Sequence, residues 1–161
     1  MGVVIRSADR PGDLGWIVQA HGELYAREVG WDTSFERLVA GIVGELDPAR
    51  DAVWIAELDG RRVGCVACMA CMAGSDGEAV LRILLVHPDG RGHGIGGRLV
   101  DTCVDHAREQ GFKRLRLWTT NWQEAAREVY LRRGFTLVDE QPQRRFGAEV
   151  VGQTYRLDLA G

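Results

Sequence analysis

Lysine is almost missing from this chain. Of its 20 basic residues only Lys113 is not an arginine, which reads first as coding bias and second as phosphate recognition. Against 23 acidic residues the net charge is −3, which argues against a bare nucleic-acid binder, because such domains carry a basic excess. A long apolar run is also missing. The longest charge-free stretch, Val63 to Ala73, falls far short of the ~18–20 residues that span a bilayer. The opening Met1-Gly2-Val3-Val4-Ile5-Arg6 meets a charge too early for a secretory leader, so a soluble cytoplasmic protein without membrane association is expected. Cysteine is scarce. Cys65, Cys68 and Cys71 show a C-x2-C-x2-C spacing, but the run holds no Pro, Asn or Asp to make a zinc knuckle. As a strand it puts Cys68 on the face opposite Cys65 and Cys71. With Cys103, these are expected to be reduced, buried, small apolar side chains; neither a metal site nor a disulfide framework is expected.

What remains is globular. A length of 161 residues suits one domain over 1–161, and 45% hydrophobic residues suffice for its core. Val3 to Arg6 reads as a strand ended by Asp9-Arg10-Pro11-Gly12. Asp13 is placed to N-cap a helix with Leu14, Ile17, Val18, His21 and Tyr25 on its apolar face. After Gly30 a second helix carries Phe35, Leu38, Val39, Ile42, Val43 and Leu46, closed by Asp47-Pro48. Ala52–Leu58 and Arg62–Ala73 flank the Asp59-Gly60 hairpin turn, and Ser75-Asp76-Gly77 turns into a strand over Glu78–Val86. A third helix presents Ile95, Leu99, Val100, Cys103, Val104 and Ala107 on one face and ends at Gly111. A strand at Leu115–Thr119, a helix from Asn121 to Arg133, and strands at Thr136–Glu140 and Thr154–Leu159 follow. The order β-α-α-β-β-β-α-β-α-β-β predicts an α/β (α+β) fold, a mixed sheet of about seven strands flanked by about four helices.

Glycine is abundant, with 21 residues, and five fall within Gly90-Arg91-Gly92-His93-Gly94-Ile95-Gly96-Gly97. A strand ends at Val86, Pro88 blocks its extension, and the glycines bring backbone N–H groups together at a helix start. There the orphan donors and the positive end of the macrodipole favour an anion. A Walker A loop is excluded because the segment holds no Gly-Lys-Ser/Thr. Gly92-x-Gly94-x-x-Gly97 matches the dinucleotide pattern. However, it starts five residues past the strand, and no Asp or Glu ends the next strand to hold a ribose. A functionless glycine turn is the bland alternative, disfavoured by the entropy five glycines cost.

Read as Arg91-Gly92-His93-Gly94-Ile95-Gly96 after Leu84-Leu85-Val86-His87-Pro88, the loop has the R-x-x-G-x-G form. Asn121 and Ala125-Ala126-x3-Tyr130-x3-Gly134-Phe135 follow downstream. Together these resemble the GNAT family of acyl-CoA-dependent N-acetyltransferases. The segment His21-Gly22-x2-Tyr25-x2-Glu28-x-Gly30-Trp31 is similar to the GNAT domain of MarR–GNAT fusion proteins. The resemblance implies acetyl-CoA as co-substrate and direct transfer of its acetyl group to an amine of a small molecule, with an amino-acid-like acceptor among the candidates. The diphosphate would rest on Arg91, Gly92, His93, Gly94, Ile95 and Gly96, and the pantetheine arm would pair with Leu84 and Val86. An N–H near Leu85 would hold the oxyanion, and Asn121 would touch the arm or start a capping box with Glu124. Tyr130 takes the place of the family's general acid.

Many relatives carry a base, glutamate, four residues before the position of Val86; here Arg82 stands there, which favours a carboxylate-bearing acceptor. His21, Glu28, Glu78 or a water chain are the candidate replacement bases, and His21, Tyr25, Glu28, Trp31 and Arg82 the expected acceptor contacts. Trp118 and Trp122 are expected in the core. Other readings are a protein lysine or N-terminal acetyltransferase, or a non-catalytic acyl-CoA-binding module. Many members of the family dimerise, so a homodimer is admitted.

Overall fold

The alternation of apolar strands and amphipathic helices builds one seven-stranded sheet in the computed structural model, which describes residues 2–70 and 77–159. The elements are β1 (Val3–Ser7), α1 (Asp13–Val29), α2 (Thr33–Glu45), β2 (Ala52–Leu58), β3 (Arg61–Ala70) and β4 (Glu78–Val86). After a 3-10 turn at Pro88–Gly90 come α3 (Ile95–Glu109), β5 (Arg114–Thr120), α4 (Glu124–Arg132), β6 (Thr136–Arg145) and β7 (Ala148–Asp158). The sheet order is β1-β2-β3-β4-β5-β7-β6, and only β4 and β5 pair in parallel. The expected element order and sheet type are therefore the observed ones. The expected run of β3 to Ala73, with Cys71, and the turn residues Ser75-Asp76 lie outside the described residues.

The middle of the sheet is buried on both faces, and so β3 from Val63 onward reads as an unbroken apolar run. On one face α3 buries Ile95, Leu99, Val100, Cys103, Val104 and Ala107, the six expected positions, against Val66, Leu81, Leu115 and Leu117. On the other, α1 and α2 pack Ile17, Leu24, Phe35 and Val39 onto Ile55, Cys65 and Leu85. Cys65 and Cys68 accordingly lie in different cores.

Several boundaries moved for identifiable reasons. Gly12, in left-handed geometry, holds the N-cap position of α1, and Asp13 sits inside the first turn. Its fully buried carboxylate accepts from Arg6 (2.8 and 3.0 Å), from Arg62 Nε (2.9 Å) and from the Arg10 backbone N–H (2.9 Å). With Asp13 turned inward, Ala20 and Leu24 also face the core, while Leu14 is exposed. The largest departure lies near the end of the chain. Strands β6 and β7 run to a turn at Phe146-Gly147, where only Thr136–Glu140 and Thr154–Leu159 were expected. Pro142 and the polar residues around it obscured the pattern. They are tolerated because β6 is an edge strand, where a missing N–H costs nothing in the ladder.

Candidate active site

Strands β4 and β5 begin as neighbours and then part. Their pairing covers Glu78↔Arg114, Ala79↔Leu115 and Val80↔Arg116 and stops, while β5 stays with β7 as far as Thr120↔Gly152. The divergence begins where β4 is bulged: its register on β3 slips between Ala67↔Arg82 and Cys65↔Leu85, with Ile83 at φ 53. A β-branched residue in the left-handed region costs roughly 1–3 kcal/mol and persists only where the surroundings impose it. Here the Cys65 thiol donates to the Ile83 carbonyl at 3.1 Å, tying the bulge to β3. Beyond it, the His87 N–H donates to Val63 O at 2.7 Å. Strand alternation then turns the Leu85 amide toward β3 and that of Val86 into the gap. An N–H offered to a carbonyl in the gap is thus a neighbour's, not that of Leu85 itself.

The gap holds two cavities end to end. One, of about 360 Å³, reaches from Leu84, Leu85 and Val86 to the glycine loop, with Arg91, Gly92, Gly94, Ile95 and Gly96 in its wall. Two features shape that loop. Gly90 is buried so close to β3 that a Cβ would stand 2.8 Å from that of Val63, and Gly94, at φ 68, is the N-cap of α3 without a side-chain cap. The first N–H groups of α3 are therefore left for a ligand, which is the donor set a diphosphate needs. Arg91 spans the mouth and donates to both Glu28 oxygens at 2.8 Å. His93 is exposed and lines neither cavity.

The second cavity, of about 450 Å³, opens on the other side of Leu84 and Gln123, the two residues that line both. It receives His21, Arg82 and Tyr130. His21 is 3% exposed, and its Nδ1–H donates to Ile17 O at 2.7 Å. That bond fixes the tautomer with the lone pair on Nε2, and burial lowers the ring's pKa to about 4, so it is neutral at pH 7. Tyr130, 4% exposed, packs on Phe135 with ring centroids 5.6 Å apart. Burial pushes its phenol well above the usual tyrosine range, so it keeps its proton.

Other expected contacts fall elsewhere. Tyr25 and Glu28 line the glycine-loop cavity, not the one that holds Arg82. Trp31 lines neither: it packs among Tyr25, Phe35 and Phe146, and its buried indole N–H has no partner among the described residues. Asn121 is also outside both, its Oδ1 accepting from the Val151 N–H at 2.7 Å. It does not cap α4, whose N-cap is Gln123. Gln123 was missed by sequence reasoning. Its Oε1 accepts from the Thr120 N–H and the Thr119 hydroxyl (both 3.0 Å), and its Nε2 donates to Tyr25 OH (3.1 Å), which fixes it across the junction. Also missed was Arg145, because its strand was. Trp118 and Trp122, expected in the core, are 38% and 52% exposed, one in each cavity wall.

The fold is thus a mixed sheet split at its one parallel pair, with the uncapped start of α3 at one end of the split. The acetyltransferase (GNAT) family profile matches residues 16–135, and the chain belongs to that family. Among curated proteins it is 40% identical over 82 residues to the "Probable N-acetyltransferase camello" of Xenopus tropicalis, covering 51% of this chain and 37% of that one. To N-acetyltransferase 8F1 of Rattus norvegicus it is 35% identical over 89 residues, 54% of this chain and 40% of that. The match thus spans about two fifths of those relatives. Among solved structures, yncA of Salmonella typhimurium with its cofactor acetyl-CoA superposes with a TM-score of 0.79 at 19% identity, over 100% of this chain and 96% of that one. The ribosomal-protein-S18-alanine N-acetyltransferase of Escherichia coli gives 0.74 at 19%, over 99% and 96%. At such identities these structures show the fold alone.

Proposed function

We propose that this chain is an N-acetyltransferase that moves the acetyl group of acetyl-CoA directly to the amine of a small molecule. One observation carries the reading: two cavities meet end to end in the β4–β5 gap, one with the donors for a diphosphate, the other with a neutral His and a protonated Tyr. The residues fit the co-substrate. The bare N–H groups of α3 suit the phosphates, and the unpaired edge of β4 at Val86 suits the amides of the arm. Bound acetyl-CoA supplies the activated thioester.

The chain's own groups then divide the work. Leu84 and Gln123 form the passage at which the amine meets the acyl carbon. His21 Nε2, held by its Nδ1 bond to Ile17, accepts the proton that the nitrogen sheds as it bonds to carbon. A nitrogen in that state is far more acidic than a free ammonium, so a weakly basic imidazole suffices. The Tyr130 O–H donates to the departing sulfur. Glu28 is bound to Arg91, and the Glu78 carboxylate to Arg116 at 3.2 Å, which leaves His21 the best-placed of the bases considered. The kinship to MarR–GNAT fusion proteins rests on the His21–Trp31 motif, and a homodimer and cytoplasmic location remain parts of this proposal.

Calorimetry with acetyl-CoA and thiol release across an amine panel test the reading. Binding with amine-dependent turnover is expected. Binding without turnover on any amine or peptide would favour an acyl-CoA-binding module, and turnover on peptides alone a protein acetyltransferase.

A further inference from the structure

Resting on that reading, the geometry points to an acceptor that carries a carboxylate on an apolar body, an apolar amino acid or close analogue, with its acid group held by Arg82 and Arg145. Three arginines line the larger cavity, Arg82 from β4, Arg116 from β5 and Arg145 from the end of β6, and among the described residues no Asp or Glu lines it. The charge of Arg116 is met by Glu78 at 3.2 Å. Arg82 and Arg145 have no carboxylate within 4.0 Å among the described residues.

Arg145 is also held in place. Its guanidinium carbon lies 5.1 Å from the Trp118 ring and 5.0 Å from that of Phe146, and the residue is half-buried. Stacking on two rings restrains a side chain that otherwise loses much rotamer freedom on binding, and leaves the N–H edges to a planar acid. Such a fork matches a carboxylate bidentately. The opposite wall is apolar, with Phe35, Leu38, Val39 and Ile42 from α2. An acceptor with only an amine, a lysine side chain or a polyamine, enters a positive field as a cation and meets no carboxylate among the described lining residues. A carboxylate on the acceptor reverses that penalty and leaves the amine free to reach the Leu84–Gln123 junction.

The test sets leucine, methionine and phenylalanine against their amides and decarboxylated amines, with acetyl-CoA in excess. The free acids are expected to show at least tenfold higher kcat/KM. Arg82→Gln and Arg145→Gln are each expected to raise KM for the acids tenfold or more, with kcat within threefold and the amides unaffected. Equal or better use of the amides, or turnover confined to peptide amines far from any carboxylate, overturns the inference and leaves acetyltransfer standing. Should no amine turn over, acetyltransfer itself fails, and calorimetry on CoA-saturated protein decides this point separately. N-acetylphenylalanine binding tenfold tighter than its amide, with the difference lost in Arg145→Gln, supports the carboxylate site; equal binding, or none, overturns it.

Discussion

Replacing Tyr130 by Phe removes a single oxygen from the wall of the acceptor cavity. The ring stays 4% exposed against Phe135 and Tyr155, and no hydrogen bond from the phenol to the described residues is broken. The cost to folding is therefore expected to stay within about 1 kcal/mol. Acetyl-CoA affinity should not change, because Tyr130 lines the acceptor cavity and not the one beside the glycine loop. Turnover should fall by ~10²–10⁴-fold, the usual worth of a general acid, which is about 2.7–5.5 kcal/mol in the barrier. The raised phenol pKa adds a condition: as an acid, Tyr130 stays protonated past pH 10, so it imposes no alkaline loss of kcat below that pH in the wild type. Thiol release measures turnover, and calorimetry with acetyl-CoA measures the cofactor side. A variant within threefold of wild-type kcat refutes the acid role. One that loses acetyl-CoA affinity in step shows that the residue acts through the fold instead.

Asp13→Asn should destabilise the fold by about 3 kcal/mol, read by chemical denaturation, since Arg62 loses its carboxylate and the partly buried Arg6 keeps only Glu57. Those arginines hold the Asp13 carboxyl far below the usual carboxylate range. Its contribution is thus complete above about pH 4 and is lost as pH falls below that. His21 acts in a higher window. With a folded pKa of about 4 against an ordinary 6.5, its neutral burial favours the fold above pH 6.5, and the gain disappears as pH falls to 4. That is about 3 kcal/mol, and denaturation curves of His21→Gln across the window should lack it. Gly94→Asp, at a φ of 68 that Asp tolerates better than most residues, sets a negative charge at the N-terminus of α3. Acetyl-CoA affinity should drop at least tenfold by calorimetry with melting temperature little changed; unaltered affinity would place the phosphates elsewhere.

The glycine loop and the buried face of α3 were legible because their signals are local: glycines at fixed offsets, apolar residues three and four apart. The bulge at Ile83 left no such mark. Isoleucine is an ordinary strand residue, and its positive φ arises only because β3 and β4 must pair on both sides of the slip. Arg145 went unseen because Pro142 and four polar neighbours hide an edge strand, whose one requirement is a partner in β7. Trp118 was placed in the core on its apolar bulk, but it stands on the strand that leaves its neighbour, and so it faces open space.

By itself, the order of residues determined the number, type and order of the elements and the glycine-rich start of α3. Periodicity and backbone freedom act over a few residues at a time, so they can be read along the chain. The three-dimensional packing alone decided where the sheet splits, that Leu84 and Gln123 line two cavities there, and that arginines from β4 and β6 line one of them together. Those results depend on contacts between segments as far apart as residues 21, 82 and 145, whose proximity no local pattern records.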